Sequence, residues 1–280
     1  MIAGALRSIR TLGFRLASPL DRVWLLATGR GHLPPLWLRR HTGSVSAFES
    51  AARETSAYLD RLGLWKDLQV VLDVGCGAGA MVEEFRRRLP GNGRYAGFDV
   101  HAPSIRWCRA HWASDPRLSF EVAPVASPYG SASGDPIESY RFPLGDGDAD
   151  LVLAKSVFTH LTAEGARHYL AETRRVLRPG QQAVVTAFLY EAGTPAVEMA
   201  FPHAAGDGMR VKSLARPTDS QSISGLAPAR MVATSPRPKA AYMLCTCAIL
   251  ALLMKCSRWW LAVITGLKRE SFTAAPKMTC

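Results

Sequence analysis

Three glycines spaced by one residue close the stretch VVLDVGCGAGA (70–80), and a carboxylate, Asp73, stands two residues ahead of the first. Gly75, Gly77 and Gly79 let a backbone turn sharply and approach a ligand with no side chain in the way. A helix opening at Ala80 aims its free N–H groups into the same space. Asp99 follows Gly79 by 20 residues, and a carboxylate at that distance can accept both hydroxyls of a ribose. Together these residues describe a cradle for a nucleoside-bearing ligand.

Two ligands compete for it. GCGAGA satisfies the G-x-G-x-x-A pattern of dinucleotide sites, so an NAD(P)-dependent oxidoreductase is one reading. Asp73 favours the other, because a carboxylate on the buried edge of the cradle repels a pyrophosphate and suits a cationic amino group. S-adenosylmethionine carries an ammonium, a sulfonium and an adenosine, and no phosphate.

Further along, Lys155-Ser156-Val157-Phe158-Thr159-His160 follows an apolar strand. His160 is the candidate general base for a hydroxyl acceptor and Lys155 a weaker catalytic candidate, with His203 weaker still. Tyr129 and Tyr140 are candidates to line the acceptor side. The position after that strand reads Ala154-Lys155-Ser156-Val157. It lacks the Asn/Asp-Pro-Pro-aromatic loop that holds a flipped base and the Pro-Cys nucleophile of cytosine C5 chemistry. Nucleic acid is therefore not the expected substrate.

The elements that position these groups alternate regularly. Strands are expected at 70–74, 95–100, 118–122, 150–154 and 183–188. Helices are expected between them, with Pro103 opening one and Thr162 capping another. Arg178-Pro179-Gly180 reads as a turn before the last strand. Near-continuous apolar strands alternating with helices give an α/β fold, a Rossmann-like, doubly wound, mostly parallel sheet. Ligands of such folds sit beyond the carboxyl ends of the strands. Residues 46–62 form an amphipathic helix closed by Gly63. Residues 1–40 read as helical arm pieces broken by Gly-Arg-Gly-His (29–32) and Pro34-Pro35. The expected organisation is an N-terminal helical arm over 1–64, a cofactor-binding core over 65–205 and a divergent region over 206–280. Within the last, residues 215–240 show no periodicity and read as loop or disorder. The apolar run 241–254 is too short to span a bilayer and reads as a buried helix.

Composition bounds the partners. Of 280 residues, 48% are hydrophobic and 20% charged, an ordinary globular balance. The net charge of +11 belongs to the ends. Residues 1–40 carry seven arginines against one aspartate, 41–200 carry 16 basic and 19 acidic residues, and 201–280 carry 11 basic and three acidic. The basic arm suits an anionic glycan or a peripheral contact with a membrane surface. Cys245 and Cys247 have the wrong spacing for a zinc knuckle, no metal site is expected, and six scattered cysteines fit a reduced, cytoplasmic setting. The N-terminus lacks the uninterrupted apolar core of a signal peptide.

LDVGCGAGA, YAGFDV, GDADLVLAKSVFTHL and RVLRPGQQAVVTAF, in that order over about residues 65–190, resemble the motifs of class I S-adenosylmethionine-dependent methyltransferases. PPLWLRRHTG and FPHAAGDG resemble flanks of a bacterial subgroup. The resemblance implies a seven-stranded sheet with its last strand antiparallel, and S-adenosylmethionine as cofactor. It implies that Asp73 and the Gly75–Gly79 loop, Cys76 included, hold the methionine part. It places the ribose on Asp99, with Val100 beside it, and turns the residues after the fourth strand toward the acceptor. With nucleic acid set aside and His160 as base, the expected acceptor is a small molecule or saccharide methylated at oxygen. Two departures stand out. Ala123 falls where relatives place an acidic adenine ligand, leaving backbone groups or Glu121 for that task. The final hairpin is not legible, although 242–267 has room for a helix and a strand. An altered C-terminus keeps open a degenerate fold that binds the cofactor and catalyses nothing.

Overall fold

The computed structural model describes residues 2–39, 45–188, 203–204, 209–211, 223–226 and 259–265. The alternating pattern becomes the sheet that the sequence calls for. β1 (Val70–Val74), β2 (Arg94–Asp99), β3 (Leu118–Val122), β4 (Ala149–Ala154) and β5 (Leu177–Phe188) run parallel in the spatial order β3-β2-β1-β4-β5. The order reverses at β1, so the crevice for a ligand opens where the glycines lie.

Alternation along each strand feeds two cores. Leu72, Val74, Ala96, Phe98, Val152 and Ala154 point to one face, where Tyr169 and Val176 of α6 (Ala163–Val176) cover them. Val71, Tyr95, Leu151, Leu153 and Val184 point to the other. There they meet Tyr58 and Leu59 of α3 (Val45–Arg61), Phe85 of α4 (Val82–Arg88), and Ile105 and Cys108 of α5 (Ala102–His111). Both faces are apolar because both are covered. Pro103 lies in the first turn of α5, and Thr162 caps α6 by accepting from the Gly165 N–H at 3.0 Å. Gly63, at φ +67°, ends α3, and the Leu64 N–H reaches back to the Leu59 carbonyl at 2.9 Å.

The arm is two helices, α1 (Ile2–Ala27) and α2 (Leu36–Arg39), joined through Gly29–Pro35. Leu25, Leu33, Leu38 and Phe48 form a third apolar cluster that includes Ala78 of the glycine loop. The buried Arg39 guanidinium pairs with Asp21, fixing α2 against α1.

Two differences from the sequence reading concern the far edge of the sheet. Arg178-Pro179-Gly180 lies inside β5 as an irregularity: Ala149 pairs with Leu177 while Leu151 pairs with Gln182. Gly180 at φ +86° absorbs the extra residues. Beyond β5, β9 (Trp259–Thr265) pairs with it antiparallel, from Gln182↔Thr265 to Phe188↔Trp259. Among the described residues this gives six strands of the seven that the resemblance implies, with the edge strand reversed. It falls within the 242–267 stretch. A second, antiparallel sheet joins β6 (His203–Ala204), β7 (Met209–Val211) and β8 (Ile223–Leu226). β8 falls where an aperiodic loop was expected, because Ile-Ser-Gly-Leu is too short to display a period. The apolar run 241–254 lies outside the described residues.

One buried carboxylate registers β1 against β4. Asp150 accepts the N–H groups of Gln69 at 3.0 Å and Val70 at 2.8 Å, and pairs with Arg178. Replacing it by alanine orphans two amides at the head of the central strand, one of them buried. Asp150→Ala is expected to lower the unfolding free energy by about 2–4 kcal/mol, read from the urea midpoint. A loss below about 0.5 kcal/mol would remove this contact from the supports of the sheet.

Candidate cofactor and acceptor site

The glycine loop is built from its neighbour strand. As β1 ends, the N–H groups of Gly75 and Cys76 donate to the Phe98 carbonyl at 2.9 and 3.1 Å. The Gly77 N–H donates to Asp99 Oδ2 at 2.8 Å, while Asp99 Oδ1 accepts from the His101 N–H at 2.7 Å. Three successive loop amides are therefore held by the last two residues of β2.

All three glycines sit at positive φ, +70°, +55° and +78°, yet their environments differ. A Cβ on Gly75 would lie 2.4 Å from Val157 Cγ2. One on Gly79 would crowd Val82 at 3.0 Å and the Cys108 thiol at 3.2 Å. A Cβ on Gly77 would meet nothing within 4 Å. Gly75 thus serves the approach of the post-β4 segment and Gly79 serves helix packing, while Gly77 faces open space.

Asp73 lies beneath the loop, 4% exposed. The Tyr95 hydroxyl donates to its Oδ2 at 2.6 Å. Burial pushes the Asp73 carboxyl up to about 7. The Tyr95 hydrogen bond and the Lys155 charge pull against that rise, and Asp99 adds to it. Tyr95 was not singled out from the sequence, where it reads as a core aromatic. The signal lay in strand period and register. Asp73 pairs with Gly97, and Tyr95 stands two residues before Gly97 on the same face. Gly97 makes this possible, since its Cβ would sit 2.9 Å from Cys76 Sγ and 3.0 Å from the Tyr95 ring.

Cys76 and Cys108 are buried free thiols, each with Sγ 3.8 Å from the Gly77 carbonyl. Burial pushes both thiols up, so they are inert packing groups under the loop. Val100 is half-buried at the end of β2. The Ala123 N–H donates to the Asp99 carbonyl at 3.0 Å, and Glu121 accepts from the Tyr140 hydroxyl at 3.0 Å.

The acceptor side sorts the remaining candidates. His160 ends a short 3-10 turn, Phe158–His160. Its Nδ1 lies 3.4 Å from the Tyr129 hydroxyl, with the two rings edge to face at 5.1 Å. The structure brings these two together. Tyr140 belongs elsewhere: its ring is buried against Phe98, centroids 5.1 Å apart, inside the core. Lys155 donates to the Ala51 carbonyl of α3 at 3.1 Å, and burial draws its ammonium below the usual lysine range. The Lys155 ammonium therefore ties the α3 helix to the post-β4 segment. Ser156 adopts φ +57°, and its N–H donates to Thr186 Oγ1 at 2.6 Å. A β-carbon in that region carries strain of about 1–3 kcal/mol, here on the segment that presents Val157 to Gly75. The side chain of His203 lies outside the described residues.

Residues 71–180 match the family model described as "Methyltransferase domain". Over 164 residues the chain is 27% identical to an uncharacterized 37.1 kDa protein in transposon TN4556 of Streptomyces fradiae. That alignment covers 53% of this chain and 42% of the relative, so the chain spans less than half of that protein. Among solved structures, the YcgJ protein of Bacillus subtilis is 15% identical, with 62% of each chain covered and a TM-score of 0.44. A protein of Pyrococcus horikoshii OT3 is 21% identical over 48% of this chain and 57% of its own, with a TM-score of 0.36.

The glycines separate by substitution. Gly77→Ala carries the cost of positive φ, about 1 kcal/mol, and places a methyl in the open cradle. It is expected to fold and to lose about tenfold or more in affinity for S-adenosylhomocysteine by calorimetry. Gly75→Ala drives a methyl into Val157 and is expected to lower the melting temperature more than Gly77→Ala does.

Proposed function

We propose that the chain moves a methyl group from S-adenosylmethionine to the oxygen of a small-molecule or saccharide acceptor, a reading supported by the match of residues 71–180 to a methyltransferase-domain family model and by the Rossmann-like sheet that carries them. When bound, that cofactor supplies an electrophilic methyl on a sulfonium. The observation that carries the reading is the open face of Gly77 above the buried Asp73. A buried carboxylate beneath a loop whose amides are already taken up by β2 suits an ammonium and disfavours a pyrophosphate, which argues against the dinucleotide reading.

In this proposal Asp73 pairs with the cofactor's ammonium and Tyr95 orients it. Asp99, already holding the Gly77 and His101 N–H groups, keeps lone pairs for ribose hydroxyls. The rest of the work is alignment of the acceptor and exclusion of water. His160 accepts the acceptor's proton, and the Tyr129 hydroxyl beside it sets the ring's orientation. A base in that place is most useful to a hydroxyl, whose proton must leave as the new C–O bond forms.

The elevated Asp73 pKa makes binding pH-dependent. The carboxylate that pairs with an ammonium exists only above about 7. Affinity for S-adenosylhomocysteine is therefore expected to fall about tenfold per unit as the pH drops below that value, and Asp73→Asn to flatten the profile. Stability runs the opposite way. A carboxyl whose folded pKa lies above its unfolded value stabilises the fold at low pH and loses that contribution as the pH rises toward 7. Asp73→Asn should therefore gain stability relative to the parent between pH 4 and 7 while binding worse at pH 8, a combination that a purely structural carboxylate would not give.

The acceptor is found by transferring an isotope-labelled methyl group into a host-cell metabolite extract and identifying the product by mass. Label on a hydroxyl of a small molecule or glycan is expected. Label confined to protein or nucleic acid would overturn the acceptor class, and its absence from every fraction would favour a binding-only fold. With the acceptor identified, His160→Ala is expected to reduce kcat by about 10²–10⁴, with cofactor affinity unchanged.

A further inference from the structure

α1 turns its apolar side away from the protein. Leu16, Leu20, Val23, Trp24 and Leu26 are 71, 78, 66, 50 and 58% exposed. Leu16, Leu20, Val23 and Trp24 follow the i, i+4, i+7, i+8 spacing of one helical face. The opposite side of the helix fastens it to the domain. Leu25 is buried, Asp21 pairs with Arg39, and Arg22 donates to the Gly31 carbonyl at 2.6 Å. Among the described residues, the stripe is thus a second face, distinct from the one that packs.

Charge says what covers it. The first 20 residues contain Arg7, Arg10 and Arg15 and no acidic residue. Trp24, with the Arg30 guanidinium 5.3 Å from its ring, has the amphipathic character that favours the headgroup level of a bilayer. A second copy of the chain would bring two arms, each with seven arginines and one aspartate, face to face. An anionic lipid surface neutralises the same charges. No described helix is long and apolar enough to cross a membrane, so α1 suits lying in the interface plane.

We propose that α1 docks this protein on an anionic lipid surface, with Leu16, Leu20 and Val23 entering the acyl boundary, Trp24 at the headgroup level, and the three arginines of the first 20 residues supplying the charge attraction. The test is flotation of the full chain with vesicles of phosphatidylcholine, alone or mixed with phosphatidylglycerol, at low and high salt. Binding to the anionic vesicles that weakens with salt is expected. Leu16→Glu/Leu20→Glu, at exposed positions, should lower the partition coefficient about a hundredfold with an unchanged melting temperature. Arg10→Gln/Arg15→Gln should lower it about fivefold per arginine and leaves the apolar face intact. Failure to float, equal binding to neutral vesicles, or wild-type flotation of the Leu16→Glu/Leu20→Glu variant would each overturn the proposal. So would a concentration-dependent dimer in sedimentation equilibrium that this variant abolishes while nothing floats. None of these results depends on methyl transfer.

Discussion

The hydrogen bonds that the end of β2 accepts from the glycine loop set the rest of the site. The Phe98 carbonyl takes two N–H groups and the Asp99 carboxylate takes the third and the His101 N–H. A backbone that offers three successive amides to one neighbouring strand must turn through positive φ, and glycine does this without a β-carbon penalty. Once the loop is so held, Gly77 opens outward, Gly79 closes on α5 and Asp73 is buried below. The arrangement leaves a buried carboxylate whose burial opposes its charge, a costly group in a fold and a common one in a binding site.

Much of this was legible in the sequence because it is local or periodic. Strand positions, the Thr162 cap, the Pro103 helix start and the Gly63 stop follow from residue type and spacing. The glycine loop and Asp99 were found the same way. What escaped notice depends on register between distant segments. Tyr95 reaches Asp73 only because Asp73 pairs with Gly97, and no spacing along the chain displays that pairing. Val157 limits Gly75 through a contact across 82 positions, and Ser156 carries a left-handed backbone that its residue type does not announce. Tyr140 and Tyr129 read alike in sequence, two loop tyrosines, but one fills the core and the other stands beside His160.

The arm and the loop are not independent. Ala78 belongs to the apolar cluster formed by Leu25, Leu33, Leu38 and Phe48, and Lys155 ties the post-β4 segment to the Ala51 carbonyl. Ala78 thus gives the arm a contact with the glycine loop, and Lys155 gives α3 one with the post-β4 segment. A change in how α1 or α3 sits would be felt at the Gly77 cradle through direct packing, with no relay through the sheet.

The pairing of β5 with β9 also carries a cost in time. β5 emerges from the ribosome with β4 already made to pair on one side, but its other edge waits for β9. About seventy residues separate the two, so at 5–20 residues per second that edge stays unpartnered for roughly 4–14 s. Gln182–Phe188, with apolar Ala183, Val184 and Val185 at its centre, is during that interval an open ladder of N–H and C=O groups. The nascent chain therefore passes through a stage in which that edge of the sheet is open to pairing with a neighbour.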